Sequence, residues 1–276
     1  MTYKRILTIQ DISCFGQCSL TVALPIISAC GIETSIIPSA VLSTHTGGFK
    51  EYTFNDLSND IPLIKKHWEK EKISFDAIYS GYLGNIKQID YVIDIKNSLL
   101  KEKGLVIIDP VMGDNGKLYP AFNNEYVQNM KRLCAISDYL IPNITEACLL
   151  TNTVFKVNYD EAYINNLILK LKKIGANNII LTGVSYKEGK VGVVVCENNN
   201  ISYYEHERIN RNYHGTGDIF SSSFVGALLN NKTAYESSQI AADYVCECIK
   251  NTYDDKNHNY GVKFEPILYK LISKIK

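Results

Sequence analysis

Short apolar runs rich in β-branched residues alternate along this chain with longer stretches whose apolar positions recur every three or four residues. The first pattern is typical of strands and the second of helices. The predicted strands are 4–9, 34–43, 76–81, 104–110, 138–143, 177–183 and 190–197. The predicted helices are 19–30, one carrying Ile86, Ile89, Ile93 and Leu100, one carrying Ile164, Leu167, Ile168, Leu171 and Ile174, and 217–230, followed by further helices.

This alternation predicts an α/β fold with a doubly wound, mainly parallel central sheet and helices on both of its faces. The run at 104–110 is almost uniformly apolar, as expected for a strand that is covered on both faces. Because no Pro- or Gly-rich linker divides the chain, we expect residues 1–276 to form a single domain without a separate lid. The loops 44–58 and 113–122 would then exclude water from a reaction.

The composition of the chain limits the kinds of molecule that it is expected to bind. Lysine plus arginine and aspartate plus glutamate number 29 each, so no net charge attracts the chain to nucleic acid or to an anionic membrane. No apolar run approaches the ~20 residues of a membrane span, and the first residues do not resemble a secretory signal. The eight cysteines show no regular framework and are expected to be reduced thiols. A cytoplasmic protein that acts on a small molecule is therefore expected.

Ligands of doubly wound sheets bind beyond the carboxyl ends of the strands. Polar residues that directly follow a predicted strand are therefore the first candidates for a site. They are Asp11, Tyr82, Asp109, Asn143 and Thr182.

The stretch "HGTGDIFSSSFVGALL" begins at His214 and places two glycines and an acid at the start of a predicted helix. Its bare N–H groups and the positive end of the helix dipole favour an anion such as phosphate. Asp218 would repel that anion, which makes sense if its carboxylate takes a proton from an attacking hydroxyl. The structural alternative is an ordinary helix start capped by Thr216 or Asp218. The predicted apolar face of this helix consists of Phe220, Phe224, Ala227 and Leu228.

Two further acidic motifs follow predicted strands. In "IIDPVMGDNG", Asp109 or Asp114 suits chemistry at Mg²⁺ or at phosphate, although Asp, Pro and Gly also form ordinary turns. In "IPNITEACLL", Asn143 and Glu146 have the spacing of a capping box. The functional alternative places Asn143 and Glu146 beside Asp109 around the hydration shell of a metal ion.

These motifs occur in a fixed order: Asp-Pro-Val-Met-Gly-Asp at 109, Pro-Asn-x-x-Glu at 142 and Gly-Thr-Gly-Asp at 215. Together they resemble the ribokinase superfamily, in particular its vitamin B6 kinases and the related hydroxymethylpyrimidine kinases. The stretch 7–49 is similar to the N-terminal region of the pyridoxamine kinase branch, and the resemblance extends over nearly the whole chain.

The resemblance implies an ATP-dependent kinase that phosphorylates the 5′-hydroxymethyl group of a B6 vitamer. Asp218 matches the catalytic base, and Gly215, Thr216 and Gly217 match the anion hole for the transferring phosphate. Asp109 and Glu146 match positions near Mg²⁺. The positions that match nucleotide contacts are Asn143, Thr182, Asp114 and Tyr119, and those that match the substrate pocket are Asp11, Thr46 and Tyr82. K⁺ and a homodimer are expected from the same resemblance.

The sequence departs from the B6 kinases at Asp11, where they usually carry serine, and at His214, which is more similar to the pyrimidine kinases. Those pyrimidine kinases often end the glycine motif with cysteine, whereas this chain has Asp218. Three functions therefore stay open: a kinase of pyridoxamine or pyridoxal, a hydroxymethylpyrimidine kinase, and a non-catalytic ligand-binding protein with the same fold.

Overall fold

A nine-stranded sheet forms the centre of the protein, for which a computed structural model describes residues 3–276. The strands of this sheet are β1 (Arg5–Ser13), β2 (Glu33–Leu42), β3 (Phe54–Asp56), β4 (Phe75–Ser80), β5 (Leu100–Ile108), β8 (Tyr139–Leu140), β9 (Asn178–Val184), β10 (Lys190–Glu197) and β11 (Asn200–Glu207), and β6 (Gly113–Asp114) and β7 (Lys117–Leu118) form a separate hairpin. The α-helices are α1 (Leu20–Ala29), α2 (Ile61–Lys70), α3 (Ile86–Leu99), α4 (Asn124–Cys134), α5 (Ile144–Thr151), α6 (Glu161–Ile174), α7 (Thr216–Leu229), α8 (Ala234–Thr252) and α9 (Leu268–Ile275).

The order of strands in the sheet is β11-β10-β9-β8-β5-β4-β1-β2-β3. Its six central strands, β9 to β2 in that order, pair in parallel. The strands β3, β10 and β11 add antiparallel edges. The predicted doubly wound, mainly parallel fold is thus confirmed. The strand β11 was not predicted, because its run "NISYYEHE" mixes polar and aromatic residues without an apolar core.

Helices cover both faces of the sheet. One apolar cluster packs α2 to α6 against one face, and two others pack α1, α7, α8 and α9 on the opposite face. Cluster residues alternate along the strands: Leu7 and Ile9 face the first layer, whereas Ile6 faces the second. This alternation follows from the period of two along a strand.

Helix α7 differs from its prediction. We expected one apolar face, but every residue from Ile219 to Leu229 is buried. The reason is that α7 lies between α1, α8 and the sheet, so it has no solvent face. The side chain of Phe224 is fully buried in this layer.

The structure also shifts some predicted bounds. Leu100 begins β5 instead of ending α3, and the predicted strand 138–143 shortens to Tyr139–Leu140. The loop 44–58, predicted to help exclude water, contains β3, and the loop 113–122, predicted to do the same, contains the β6–β7 hairpin. The eight cysteines are free thiols, six of them buried, and none of the helices in residues 3–276 is long and apolar enough to cross a membrane.

The variant Phe224→Ala should lower the free energy of unfolding by about 3–5 kcal/mol, because it opens a cavity in a fully enclosed layer. Urea denaturation measures this loss as a lower midpoint at an unchanged slope. Leu169→Ala on α6 is the control, since Leu169 is 58% exposed and its truncation should change the free energy by about 0.5 kcal/mol or less. Equal midpoints for the two variants would contradict the buried position of α7.

Candidate active site

The sheet brings the predicted site residues to one edge. Because the central strands are parallel, their carboxyl ends lie side by side, and backbone bonds tie the segments that follow them. The Asp109 N–H donates to the Ser80 carbonyl at 2.9 Å, and the Thr182 N–H donates to the Pro142 carbonyl at 2.9 Å. Asn143 pairs with Thr182 as a parallel bridge. Asp109, Asn143 and Thr182 therefore line the same edge.

Helix α7 begins at this edge with its N-terminal N–H groups uncapped by any side chain of the described residues. The Thr216 hydroxyl donates backwards to the Tyr213 carbonyl at 3.3 Å, so it does not cap the helix. Asp218 does not cap it either. The structural alternative, a helix start capped by Thr216 or Asp218, is therefore wrong. We call this start of α7, residues 215–218, the anion cradle, because bare N–H groups and the positive end of a helix dipole favour an anion.

Different physical reasons account for the glycines at positions 215 and 217 of the motif. Gly215 has φ of +76°, and a Cβ there would lie 1.7 Å from the Gln17 carbonyl oxygen. Gly217 has no positive φ, and its added Cβ would meet nothing within 4 Å. The fold therefore requires glycine at 215 but not at 217. Glycine at 217 leaves open space at the helix start, where an anion could approach the backbone.

Asp218 lies on the first turn of α7 and is partly buried, and the nearby Ser19 backbone N–H favours the ionised form of its carboxyl. Burial, with a smaller contribution from the charge of Asp11, raises the pKa of Asp218 to about 7. A carboxyl with this pKa can accept a proton near neutral pH and release it again. Ser19 itself has φ of +52°, which is strained for a serine.

Asp109 and Glu146 form a buried acidic pair. Asn143 and Glu146 make the predicted capping box: Asn143 accepts from the Glu146 N–H at 2.9 Å and donates its own N–H to Glu146 Oε2 at 2.9 Å. Glu146 Oε1 accepts from the Met112 N–H at 3.2 Å. Burial raises the pKa of both acids, and the charge of Asp109 adds to the effect on Glu146. Asn143 and Glu146 therefore form the capping box and lie beside Asp109 at the same time.

The β6–β7 hairpin is tied over this pair. The Asn143 side-chain amide donates to the Gly113 carbonyl at 2.9 Å, and the Gly116 N–H donates to the Thr145 hydroxyl at 2.9 Å. Asp114 is exposed on the hairpin. Tyr119 follows it, and burial together with the charges of nearby acids, Glu146 first, raises the pKa of its hydroxyl. Asp114 and Tyr119 therefore lie on the same side of the site as Asp109 and Glu146.

The three predicted substrate residues are placed differently. Asp11 is buried at an irregularity in β1, between Gln10 and Ile12, and accepts from the Ser13 hydroxyl at 3.0 Å. Bulges of this kind redirect a side chain. Burial and the charge of Asp11 raise the pKa of Tyr82 to about 12, so the two lie on the same side of the site. Thr46 is exposed on the loop beyond β2.

His45 anchors this loop, although no motif in the sequence singled it out. Its Nδ1 accepts from the Gly47 N–H at 3.1 Å, and its Nε2 therefore donates to the Tyr260 carbonyl at 3.0 Å. The ring of His45 lies 5.2 Å from that of His214, beside the anion cradle. The position of His45 directly before Thr46 was the only signal in the sequence.

Comparison with known proteins gives the family. The family model described as phosphomethylpyrimidine kinase matches residues 30–263. The chain belongs to this family. The resemblance to the ribokinase-like B6 kinase group is confirmed with it.

Among solved structures, a Bacteroides thetaiotaomicron protein assigned as a phosphomethylpyrimidine kinase is 32% identical, with a TM-score of 0.94 over 98% of this chain and 94% of that protein. Another crystal form of it contains pyridoxal. Pyridoxal kinase from Lactobacillus plantarum is 26% identical, with a TM-score of 0.90 over 99% of this chain and 98% of that one. Pyridoxal kinase from Dictyostelium discoideum is 25% identical over 83% of this chain and 80% of its own length.

The substitutions Gly215→Ala and Gly217→Ala should separate the two glycines of this phosphomethylpyrimidine kinase family member. Gly215→Ala should destabilise the protein by at least about 2 kcal/mol, because it adds both a clash and an unfavourable φ. Gly217→Ala should leave stability unchanged or raise it by up to about 1 kcal/mol, and it should weaken binding of a non-hydrolysable ATP analogue by blocking the cradle for the γ-phosphate.

Thermal melts and calorimetric titration with the ATP analogue measure the two effects, each glycine variant serving as the control of the other. Unchanged affinity for the ATP analogue in a folded Gly217→Ala protein would contradict an anion cradle at this helix start.

Proposed function

We propose that the protein is an ATP-dependent kinase that phosphorylates the 5′-hydroxymethyl group of a B6 vitamer, with pyridoxamine or pyridoxal as the acceptor. The observation that carries the proposal is Asp218, a carboxyl with a pKa near 7 set beside the uncapped start of α7. A base and an anion cradle on one helix turn suit the transfer of a phosphoryl group to a hydroxyl. The pyridoxal bound by a relative of 31% identity supports the substrate class.

In the proposed reaction, Asp218 takes the proton of the substrate hydroxymethyl group. The freed oxygen forms a bond to the γ-phosphorus of ATP while the bond from that phosphorus to the β-bridging oxygen breaks, and ADP leaves. The N–H groups of Gly215, Thr216 and Gly217 hold the negative charge of the transferring group. The proton on Asp218 is then released to solvent, which a pKa of about 7 permits.

The residues present fit Mg²⁺. Asp109 and Glu146 would hold it through their carboxylates, with Asn143 nearby, and their mutual repulsion would be relieved by a cation. Within residues 3–276 no group of three acidic, His or Cys side chains forms a closed metal site. This suits Mg²⁺, which usually takes one or two carboxylates and keeps waters and substrate phosphates as its other ligands. When bound, Mg²⁺ would neutralise charge on the phosphates of ATP.

The proposal also includes the roles expected from the resemblance. Thr182, Asp114 and Tyr119 would contact the nucleotide, and Asp11, Thr46 and Tyr82 would line the vitamer pocket. We propose further that residues 1–276 act as one kinase domain, that K⁺ assists the reaction, and that the enzyme is a cytoplasmic homodimer.

A second candidate acceptor is hydroxymethylpyrimidine. The family description and the buried acid Asp11 favour it, since a carboxyl can accept a hydrogen bond from an exocyclic amine. Pyridoxamine also has an amine, so Asp11 does not separate the two acceptors by itself.

Incubation of the protein with Mg-ATP and, separately, pyridoxal, pyridoxine, pyridoxamine and hydroxymethylpyrimidine tests the proposal, with each product followed by mass spectrometry. Phosphorylated B6 vitamers at the higher kcat/KM support it. A phosphorylated pyrimidine as the only product would instead identify hydroxymethylpyrimidine as the acceptor. No product from any acceptor would favour a non-catalytic binding protein.

The variant Asp218→Asn should lower kcat by about 10²–10⁴-fold, because it removes the base and keeps the shape of the side chain. The matched control is Asp90→Asn, an exposed acid on α3 that pairs with Arg132 and should keep wild-type kcat. Steady-state rates with saturating ATP and vitamer measure the difference. A near-normal kcat in Asp218→Asn would remove Asp218 from this role.

The rate should also depend on pH through Asp218. The base works only when it is ionised, and its raised pKa means that the ionised fraction increases as pH rises through about 7. We expect kcat/KM to fall below pH about 7 and to level off above it. A profile from pH 5.5 to 9 tests this, and a limb that persists unchanged in the residual activity of Asp218→Asn would assign it to another group.

A further inference from the structure

Ser221 makes an unusual hydrogen bond for a serine inside a helix. Its hydroxyl donates to Asp109 Oδ2 at 2.7 Å, and both side chains are buried. Helix serines and threonines commonly donate to the carbonyl four residues earlier. In this chain Ser238 and Thr252 of α8 do so, at 2.8 Å each. The Ser221 hydroxyl is instead committed to an acid 112 residues away in sequence.

Ser221 also lies one turn after Asp218 on the same helix. Residues three apart on a helix share a face. The two acids of the proposed reaction are therefore linked through one rigid element: Asp218 belongs to α7, and Asp109 is held by α7 through Ser221. Full burial of the helix beyond its first turn keeps this link from shifting.

We propose that Ser221 is a positioning residue that fixes the carboxylate of Asp109 toward the metal-bound nucleotide. This proposal rests on the proposed function, in which Asp109 holds Mg²⁺. Without the Ser221 hydroxyl, Asp109 loses its one side-chain donor among residues 3–276 and can turn away from the cation. Hydrogen bonds to charged groups are among the stronger ones, so the loss should be measurable.

The test compares Ser221→Ala with Ser223→Ala. Ser223 is also fully buried on α7, but its hydroxyl has no partner, so the control removes the same atom from the same helix without touching Asp109. Binding of Mn²⁺ in the presence of ADP, followed by electron paramagnetic resonance, reports the metal site without turnover. Ser221→Ala should weaken Mn²⁺ binding and lower kcat by about tenfold each, with KM for the vitamer unchanged, and Ser223→Ala should match the wild type.

A double-mutant cycle with Asp109→Asn distinguishes positioning from general damage. If Ser221 acts through Asp109, adding Ser221→Ala to Asp109→Asn should lower the residual kcat less than twofold. An undiminished tenfold effect in that background would overturn the proposal, as would Ser221→Ala binding Mn²⁺ like Ser223→Ala.

Ser221→Thr is a second variant, which keeps a hydroxyl at this position. It should bind Mn²⁺ within about threefold of the wild type, because a donor to Asp109 remains; binding about tenfold weaker than that of the wild type in a folded Ser221→Thr protein would overturn the proposal. If the wild-type protein transfers phosphate to no acceptor, the proposed function fails, but the Mn²⁺–ADP comparison still decides the role of Ser221.

Discussion

The site of this protein depends on one interaction, the repulsion among carboxyl groups that lie together at one edge of the sheet. Asp11, Asp109 and Glu146 are buried there, and Asp218 stands beside them. None of the four has a salt bridge to a cation within residues 3–276. Buried charges without counter-charges are costly, which is why the pKa of each is raised. The site therefore favours partners that bring positive charge or supply a proton.

Such a site can exist only because the apolar layers around it are well packed. The parallel strands set the spacing of the acids, and α7 is packed on all sides between α1, α8 and the sheet. A helix with no solvent face cannot turn or slide without disturbing the packing of its neighbours. The energy that holds the acids together thus comes from hydrophobic burial away from them.

Local backbone geometry supplies the remaining precision. Gly215 takes a positive φ against the Gln17 carbonyl, and Ser19 takes a positive φ near Asp218. On the other side of the site, Glu146 takes part in the capping box of α5 and also accepts a hydrogen bond from the Met112 N–H, so it joins these two segments. Strained and doubly used residues of this kind are typical of functional sites, because the surrounding fold can bear their cost.

The sequence alone determined the alternation of strands and helices, and with it the edge of the sheet where Asp109 and Asn143 would meet. It also determined the uncommon Gly-Thr-Gly-Asp start of α7, because local spacing and backbone preference are written in neighbouring residues. It did not determine that α7 is enclosed on all sides, that Ser221 bonds to Asp109, or that His45 reaches Tyr260. Those contacts join residues more than a hundred positions apart. Only the packing of whole layers brings such residues together, so only the tertiary structure could decide them.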